Sequence, residues 1–232
     1  MYVVQYSEGW RLVVRRLRIW TSIIGDNLEQ VQVLRNYLMQ TISVNERLQL
    51  VPLEASDAAE LFSLTDANRS YLRNWLPWLD NIRRVDDARA FIHVAQLQMG
   101  RNNGAQLAIK FDGRIAGVIG HHQIDWRNRL TSLGYWLDAT YQGCGLVTAS
   151  AGALIEHAFN ELRLNRIEIR CAVDNQKSRA IPVRLSFQEE GLLHDAEWLY
   201  DHFVDHVVYS MLLKEWSKAS VSAEVPRGEK RL

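Results

Sequence analysis

The chain has 232 residues, 47% of them hydrophobic and 23% charged, enough to bury one substantial core and too few for two full-sized domains. Lysine plus arginine equals aspartate plus glutamate at 27 each, so the basic footprint of a nucleic-acid binder is missing. Only Cys144 and Cys171 carry thiols, too few for a disulfide framework or a zinc site, which fits a reducing cytoplasm; no run approaches the roughly 20 apolar residues of a membrane-spanning helix.

In chain order, residues 1–38 differ from the rest. "WRLVVRRLRIW" is basic and apolar but lacks the layout of a secretory signal. As an amphipathic arm it would rest on a membrane or a partner. The simpler reading is an extension outside the fold, with Met39 as a natural start ahead of "QTISVNERLQLVPL", followed by one domain over 39–216. "SKASVSAEVPRGEKRL", residues 217–232, is small, polar and aperiodic, which predicts a disordered tail.

Within the domain, "LQLVPL" (48–53) predicts a first strand, and "SDAAELFSLTDAN" a helix opened by a Ser/Asp cap. A second helix is expected from about Asp86 to Met99. "QLAIKF" and "RIAGVIGHHQI" flank Asp112-Gly113, a dipeptide suited to a tight hairpin because both residues tolerate positive φ. "SLGYWLD" and "RIEIRCAV" alternate apolar residues on one face, as strands do. Between them Val147, Ala151, Leu154, Ala158 and Leu162 recur every three or four residues, the period of a helix laid on a sheet. Strand, helix, strand implies a parallel crossover. A short helix over about 175–185, kinked at Pro182, and two closing strands complete an α+β fold, its mixed sheet mostly antiparallel with a central parallel crossover and helices on its flanks.

The corner Gln142-Gly143-Cys144-Gly145-Leu146-Val147 lies where a strand hands over to a helix N-terminus. Donors without intrahelical partners and the positive end of the helix dipole make such a corner a site for phosphate or pyrophosphate, and glycine lets the backbone approach closely. A tight strand-to-helix turn would use the same residues. The third glycine of a dinucleotide fingerprint and the Lys-Ser/Thr of a P-loop are both absent. His121 and His122, adjacent on a strand, point to opposite faces and have no third ligand at suitable spacing, so no metal is expected.

"LGYWLDATYQGCGLVT", "NRIEIRCAVDNQKS", "FQEEGLL…AEW", "VDHVVYSML" and the upstream "RSYLRNWLPWLD" together resemble the GNAT acetyltransferases, and within them the RimJ/RimL-type protein N-acetyltransferases, over about residues 40–215. Val147 departs from the small last residue of the family's loop, and Ser186 stands where glycine is usual. The resemblance implies acetyl-CoA as co-substrate. Its pyrophosphate would be held by Gln142, Gly143, Cys144, Gly145, Leu146 and Val147, and its pantetheine arm by the backbone of Trp136, Leu137 and Asp138 and by Asn175. It also implies Glu197 as general base and Ser178 as donor to the departing sulfur, with Trp75, Trp78 and Tyr200 flanking the acceptor. Without the resemblance, Glu197 is an ordinary strand carboxylate, Ser178 a polar residue in a first helical turn and Asn175 an N-cap.

The acceptor implied is a protein N-terminus, a ribosomal protein in the family, for a cytoplasmic monomer or homodimer without metal, membrane or nucleic-acid partner. The alternatives are acetylation of a small amine such as a polyamine, an antibiotic or an aminoacyl toxin, and a non-catalytic module that senses acetyl-CoA.

Overall fold

The computed structural model describes residues 41–216, so the readings of 1–38 and of the tail lie outside the described residues. Among the described residues eight strands form one sheet in the order β1-β2-β3-β4-β5-β6-β8-β7: β1 Ile42–Ser43, β2 Leu48–Pro52, β3 Gln106–Phe111, β4 Arg114–His121, β5 Leu130–Leu137, β6 Arg166–Ala172, β7 Gln188–Leu199 and β8 His202–Leu212. The α-helices of the same residues are α1 Ala58–Ala67, α2 Arg69–Leu72, α3 Val85–Gly100, α4 Leu146–Asn160 and α5 Gln176–Arg184. Every neighbouring pair is antiparallel except β5 and β6, which α4 joins as a parallel crossover.

Local chemistry explains most elements. Asp112 and Gly113 sit at φ 50° and 79°, the paired left-handed residues that let the β3–β4 hairpin turn in two residues. The two-residue strand β1 has no alternation to announce it. The cap expected at Ser56 and Asp57 is corrected: Asp57 makes no side-chain cap to α1, and its carboxylate instead accepts the Glu54 N–H at 2.8 Å, closing a short 3-10 turn over Ala55–Asp57.

The helices cover the two faces of the sheet. On one, α4 buries Ala151, Leu154, Ile155, Ala158 and Phe159 against Leu133, Ile167, Ile169, Val207, Tyr209 and Met211. On the other, Leu61 of α1 and Ile92 of α3 pack on Ala108, Ile115 and Val118, with Trp136 at the margin.

The register of the parallel pair opens the sheet at its centre. β5 and β6 pair from Leu130↔Arg166 to Leu133↔Ile169 and no further. β5 nevertheless stays on β4 as far as Leu137↔Gly117, and β6 stays on β8 as far as Ala172↔His206. The two central strands therefore part, and a wedge opens between them in the middle of the sheet.

Candidate active site

The glycine corner meets the wedge at the start of α4. Gly143 and Gly145 take φ of 79° and 76°, and Gly145 is the N-cap of α4 with no side chain closing the helix. Ala149 N–H bonds the Gly145 carbonyl at 3.0 Å, so the donors of the first turn ahead of it lie beyond the helical ladder. A Cβ placed on either glycine would meet nothing within 4 Å. Glycine is thus required here by backbone angle, and the space before the loop is open. Left-handed residues followed by a helix start make N–H groups converge, which is the geometry of an anion nest. Cys144 is exposed, and the Gln142 side-chain oxygen accepts from Lys177 Nζ at 2.8 Å. Sequence reading missed Lys177, a cation 35 residues from its partner that α5 brings to the loop.

Hydrogen-bond alternation decides which β5 groups face the wedge. Asp138 N–H donates to the Ala116 carbonyl at 2.7 Å and the Ser132 carbonyl accepts from His122 at 2.8 Å, so even-numbered residues direct their backbone to β4. Of Trp136, Leu137 and Asp138, expected together to pair with an extended arm, Leu137 is the one whose N–H and C=O turn toward β6. That narrows the expectation.

On the α4/α5 side of the wedge, the Asn175 side chain accepts the Ser178 N–H at 3.1 Å and caps α5. Pro182 cannot donate to the Ser178 carbonyl, and the Tyr135 hydroxyl fills that place at 3.0 Å. Cys171 is buried beside Tyr135, and burial pushes its thiol up to about 12, so it remains protonated.

The opposite face carries the carboxylate. Val207, Tyr209 and Met211 of β8 face the α4 core, so His206 projects the other way, where its Nε2 lies 3.4 Å from Glu197 Oε2. The two side chains are 7% and 10% exposed. Burial works to raise the Glu197 carboxyl, but hydrogen bonding, to His206 among others, holds it below its ordinary value and keeps it ionised at neutral pH. His206 was missed, because "VDHVVYS" places it in a strand without showing which strand it will oppose. His122 shares this face and feels the charges of both Arg170 and Glu197.

The expected acceptor residues are brought to one end. The Tyr200 hydroxyl donates to the Leu76 carbonyl at 2.5 Å and the Arg73 guanidinium lies 3.9 Å from the centre of its ring, which ties the β7–β8 turn to the Trp-rich segment. Trp78 stacks on Phe91 with centroids 6.5 Å apart and lines a small apolar cavity with Leu61, Thr65, Ile82 and Trp136. Trp75 is partly exposed in the same segment, its N–H on the Leu72 carbonyl at 2.9 Å. Among the described residues no cluster of three His, Cys, Asp or Glu side chains is placed to hold a metal, and no helix is long and apolar enough to cross a membrane.

Comparison with known proteins identifies the family and the fold. The family described as Acetyltransferase (GNAT) domain matches residues 47–188. The N-acetyltransferase YdaF of Bacillus subtilis (strain 168) is 38% identical over 179 residues, covering 77% of this chain and 98% of that protein. A solved structure of RimL, a ribosomal L7/L12 alpha-N-protein acetyltransferase in complex with coenzyme A, superposes with a TM-score of 0.73 at 29% identity, covering 75% of this chain and 98% of that one. MccE, a microcin C7 self-immunity acetyltransferase solved with acetyl-CoA and AMP, superposes with a TM-score of 0.71 at 32% identity, covering 73% and 94%. A sheet split between the parallel strands β5 and β6, a glycine nest at the split and a family match over most of the described residues lead to one assignment: the chain belongs to the GNAT acetyltransferases and is an N-acetyltransferase.

Proposed function

We propose that the chain transfers the acetyl group of acetyl-CoA to the N-terminal α-amine of a protein, with a ribosomal protein as the target class. The observation that carries the reading is the wedge between β5 and β6, with the glycine corner and α5 on one side of the sheet and the Glu197–His206 pair on the other. Cofactor and acceptor would then approach from opposite faces. RimL, which acts on a ribosomal protein's alpha-amine, shares the fold over nearly its whole length and supports the target class.

Each group has a definable task. N–H groups of the corner from Gly143 to Val147 would hold the pyrophosphate, with the Lys177 ammonium nearby. Leu137 N–H, aimed into the wedge, would polarise the thioester carbonyl, the work of an oxyanion donor. A protein α-amine with a pKa near 8 is mostly protonated at neutral pH, and Glu197 would take its proton so that the nitrogen lone pair attacks the carbonyl carbon. As the carbon–sulfur bond breaks, the electron pair leaves on sulfur. A coenzyme A thiol with a pKa near 8.5 by analogy with cysteine leaves readily; the nitrogen's second proton would pass through the Ser178 hydroxyl to the departing sulfur, so that serine ends as it began and Glu197 releases its proton to solvent.

The acceptor follows from the same base. A weak carboxylate meets on the order of 10²-fold more neutral α-amine than neutral lysine ε-amine at pH 7. Thiol release and mass spectrometry with acetyl-CoA and peptides bearing free N-terminal Ser or Ala are expected to place one acetyl group on the α-amine. The same peptides blocked at the N-terminus are expected to stay unmodified on an internal lysine.

A second reading, transfer to a small amine, is favoured by one feature. Trp198 and Phe203 are 51% and 55% exposed and meet edge to face at 4.8 Å close to the β7–β8 turn, on the strand face opposite Glu197, offering flat apolar surface to an aromatic acceptor at that end of the sheet. MccE, with its AMP, supports this reading. Turnover confined to spermidine or to an aminoacyl nucleotide in the same assay would put it first.

A further inference from the structure

Where β5 leaves the sheet, two side chains from one short stretch of chain take up its backbone groups. The Asn68 side-chain oxygen accepts the Ala139 N–H at 3.0 Å, and the Tyr71 hydroxyl donates to the Leu137 carbonyl. Asn68 is 5% exposed and donates its own amide to the Leu64 carbonyl at 2.9 Å, so it acts as a fixed joint between α1 and the strand exit. Tyr71 is only partly buried, and that burial pushes its phenol up to about 12, which keeps it a neutral donor at physiological pH.

The atom that Tyr71 holds is the one an incoming arm would need. An extended chain that docks on a strand edge through its amides bonds the carbonyl and N–H of the same residue, and the register turns those groups of Leu137 into the wedge. Tyr71 also leads directly into the acceptor segment. Trp75 and Leu76 both donate to the Leu72 carbonyl at 2.9 Å, and the Leu76 carbonyl accepts from Tyr200. Tyr71 is thus one residue from the carbonyl that two amides of that segment share.

We propose that Tyr71 is a positioning residue that links the two substrate sites: it holds the Leu137 carbonyl until a pantetheine amide N–H replaces its hydroxyl, and that release sets segment 75–78 for the acceptor. The inference rests on the reading of the wedge as the pantetheine slot.

The test uses the full chain and coenzyme A. Tyr71→Phe keeps the ring and removes the competing donor. Calorimetry is expected to show coenzyme A bound about fivefold more tightly than by wild type, the effect of one neutral hydrogen bond. Adding coenzyme A to wild type is expected to change hydrogen exchange over residues 72–78, and to change it by less than half as much in the variant. Wild-type binding with equal or weaker affinity in Tyr71→Phe overturns the inference and leaves the wedge reading standing. Failure of wild type itself to bind coenzyme A overturns both. Should the variant not fold, wild type decides alone: no exchange response over 72–78 on saturation overturns the inference.

Discussion

α4 and α5 both follow a central strand of the same sheet, and their first turns are finished in opposite ways. Gly145 at the head of α4 is left-handed and supplies no capping side chain, whereas Asn175 at the head of α5 accepts the Ser178 N–H at 3.1 Å. α5 even has its proline defect repaired, since Tyr135 covers the carbonyl that Pro182 cannot reach. A side-chain cap contributes about 1 kcal/mol. α4 forgoes that contribution and keeps its donors and dipole directed outward, which is what an anion site needs. The closed end serves the architecture, and the open end is the one the proposed function assigns to binding.

The contrast breaks most sharply at Gly145. Gly145→Glu finds room, because no atom lies within 4 Å of the new Cβ, but it adds a left-handed penalty at φ 76° and a carboxylate in front of the nest. Acetyl-CoA affinity is expected to fall by about 10³-fold, from loss of two or more hydrogen bonds to a charged group, while the melting temperature drops only a few degrees. Calorimetric binding equal to wild type would sink the anion site.

Glu197→Gln is the complementary change, because it alters neither helix end. Turnover is expected to fall roughly 10²-fold to 10³-fold, as for a lost general base, with acetyl-CoA affinity nearly unchanged. Full activity at neutral pH would move the proton transfer to another group. Together the two variants separate binding at α4 from chemistry on the far face.

α4 is anchored along its middle, and acid tests that anchor. His121 is 2% exposed beneath the helix at Leu154, and burial pushes its imidazole down to about 3. It is neutral when folded, and the unfolded side chain takes up a proton below about pH 6.5. Stability is therefore complete above that pH and is lost as pH falls toward about 3, by a few kcal/mol at most. Urea unfolding at pH 7, 5.5 and 4 measures the slope, and His121→Gln is expected to remove part of it. Equal slopes in the two proteins would show that His121 does not hold the anchor.

The smallest effect belongs to the closed end. Asn175→Ala is expected to cost about 1 kcal/mol in unfolding free energy and to lower acetyl-CoA affinity far less than Gly145→Glu. Equal losses of affinity in the two variants would erase the distinction between the ends.

Much of the architecture was legible before any coordinates. The Asp112-Gly113 hairpin, the crossover helix and the two alternating strands follow from backbone preference and periodicity over a few residues, and the glycine corner from the need for positive φ. The site was legible only in part. Gln142, Gly143, Gly145, Asn175, Ser178 and Glu197 could be singled out by motif, but their partners could not: Lys177 on Gln142, Tyr71 and Asn68 on the exit of β5, and His206 on Glu197 come from other elements.

The amino-acid sequence by itself determined most of the strands and the longer helices, the tight turn at Asp112-Gly113, and that one helix begins without a capping side chain. Those are properties of a residue and its immediate neighbours. Only the tertiary structure decided that β8 enters between β6 and β7, that β5 and β6 part after Leu133 and Ile169, and that Leu137 is the residue turned into the gap. The physical reason is separation. Tyr71 and Leu137 are 66 residues apart, Asn68 and Ala139 71 apart, and such groups find one another only when the sheet that carries one has already been packed by the helices that carry the other.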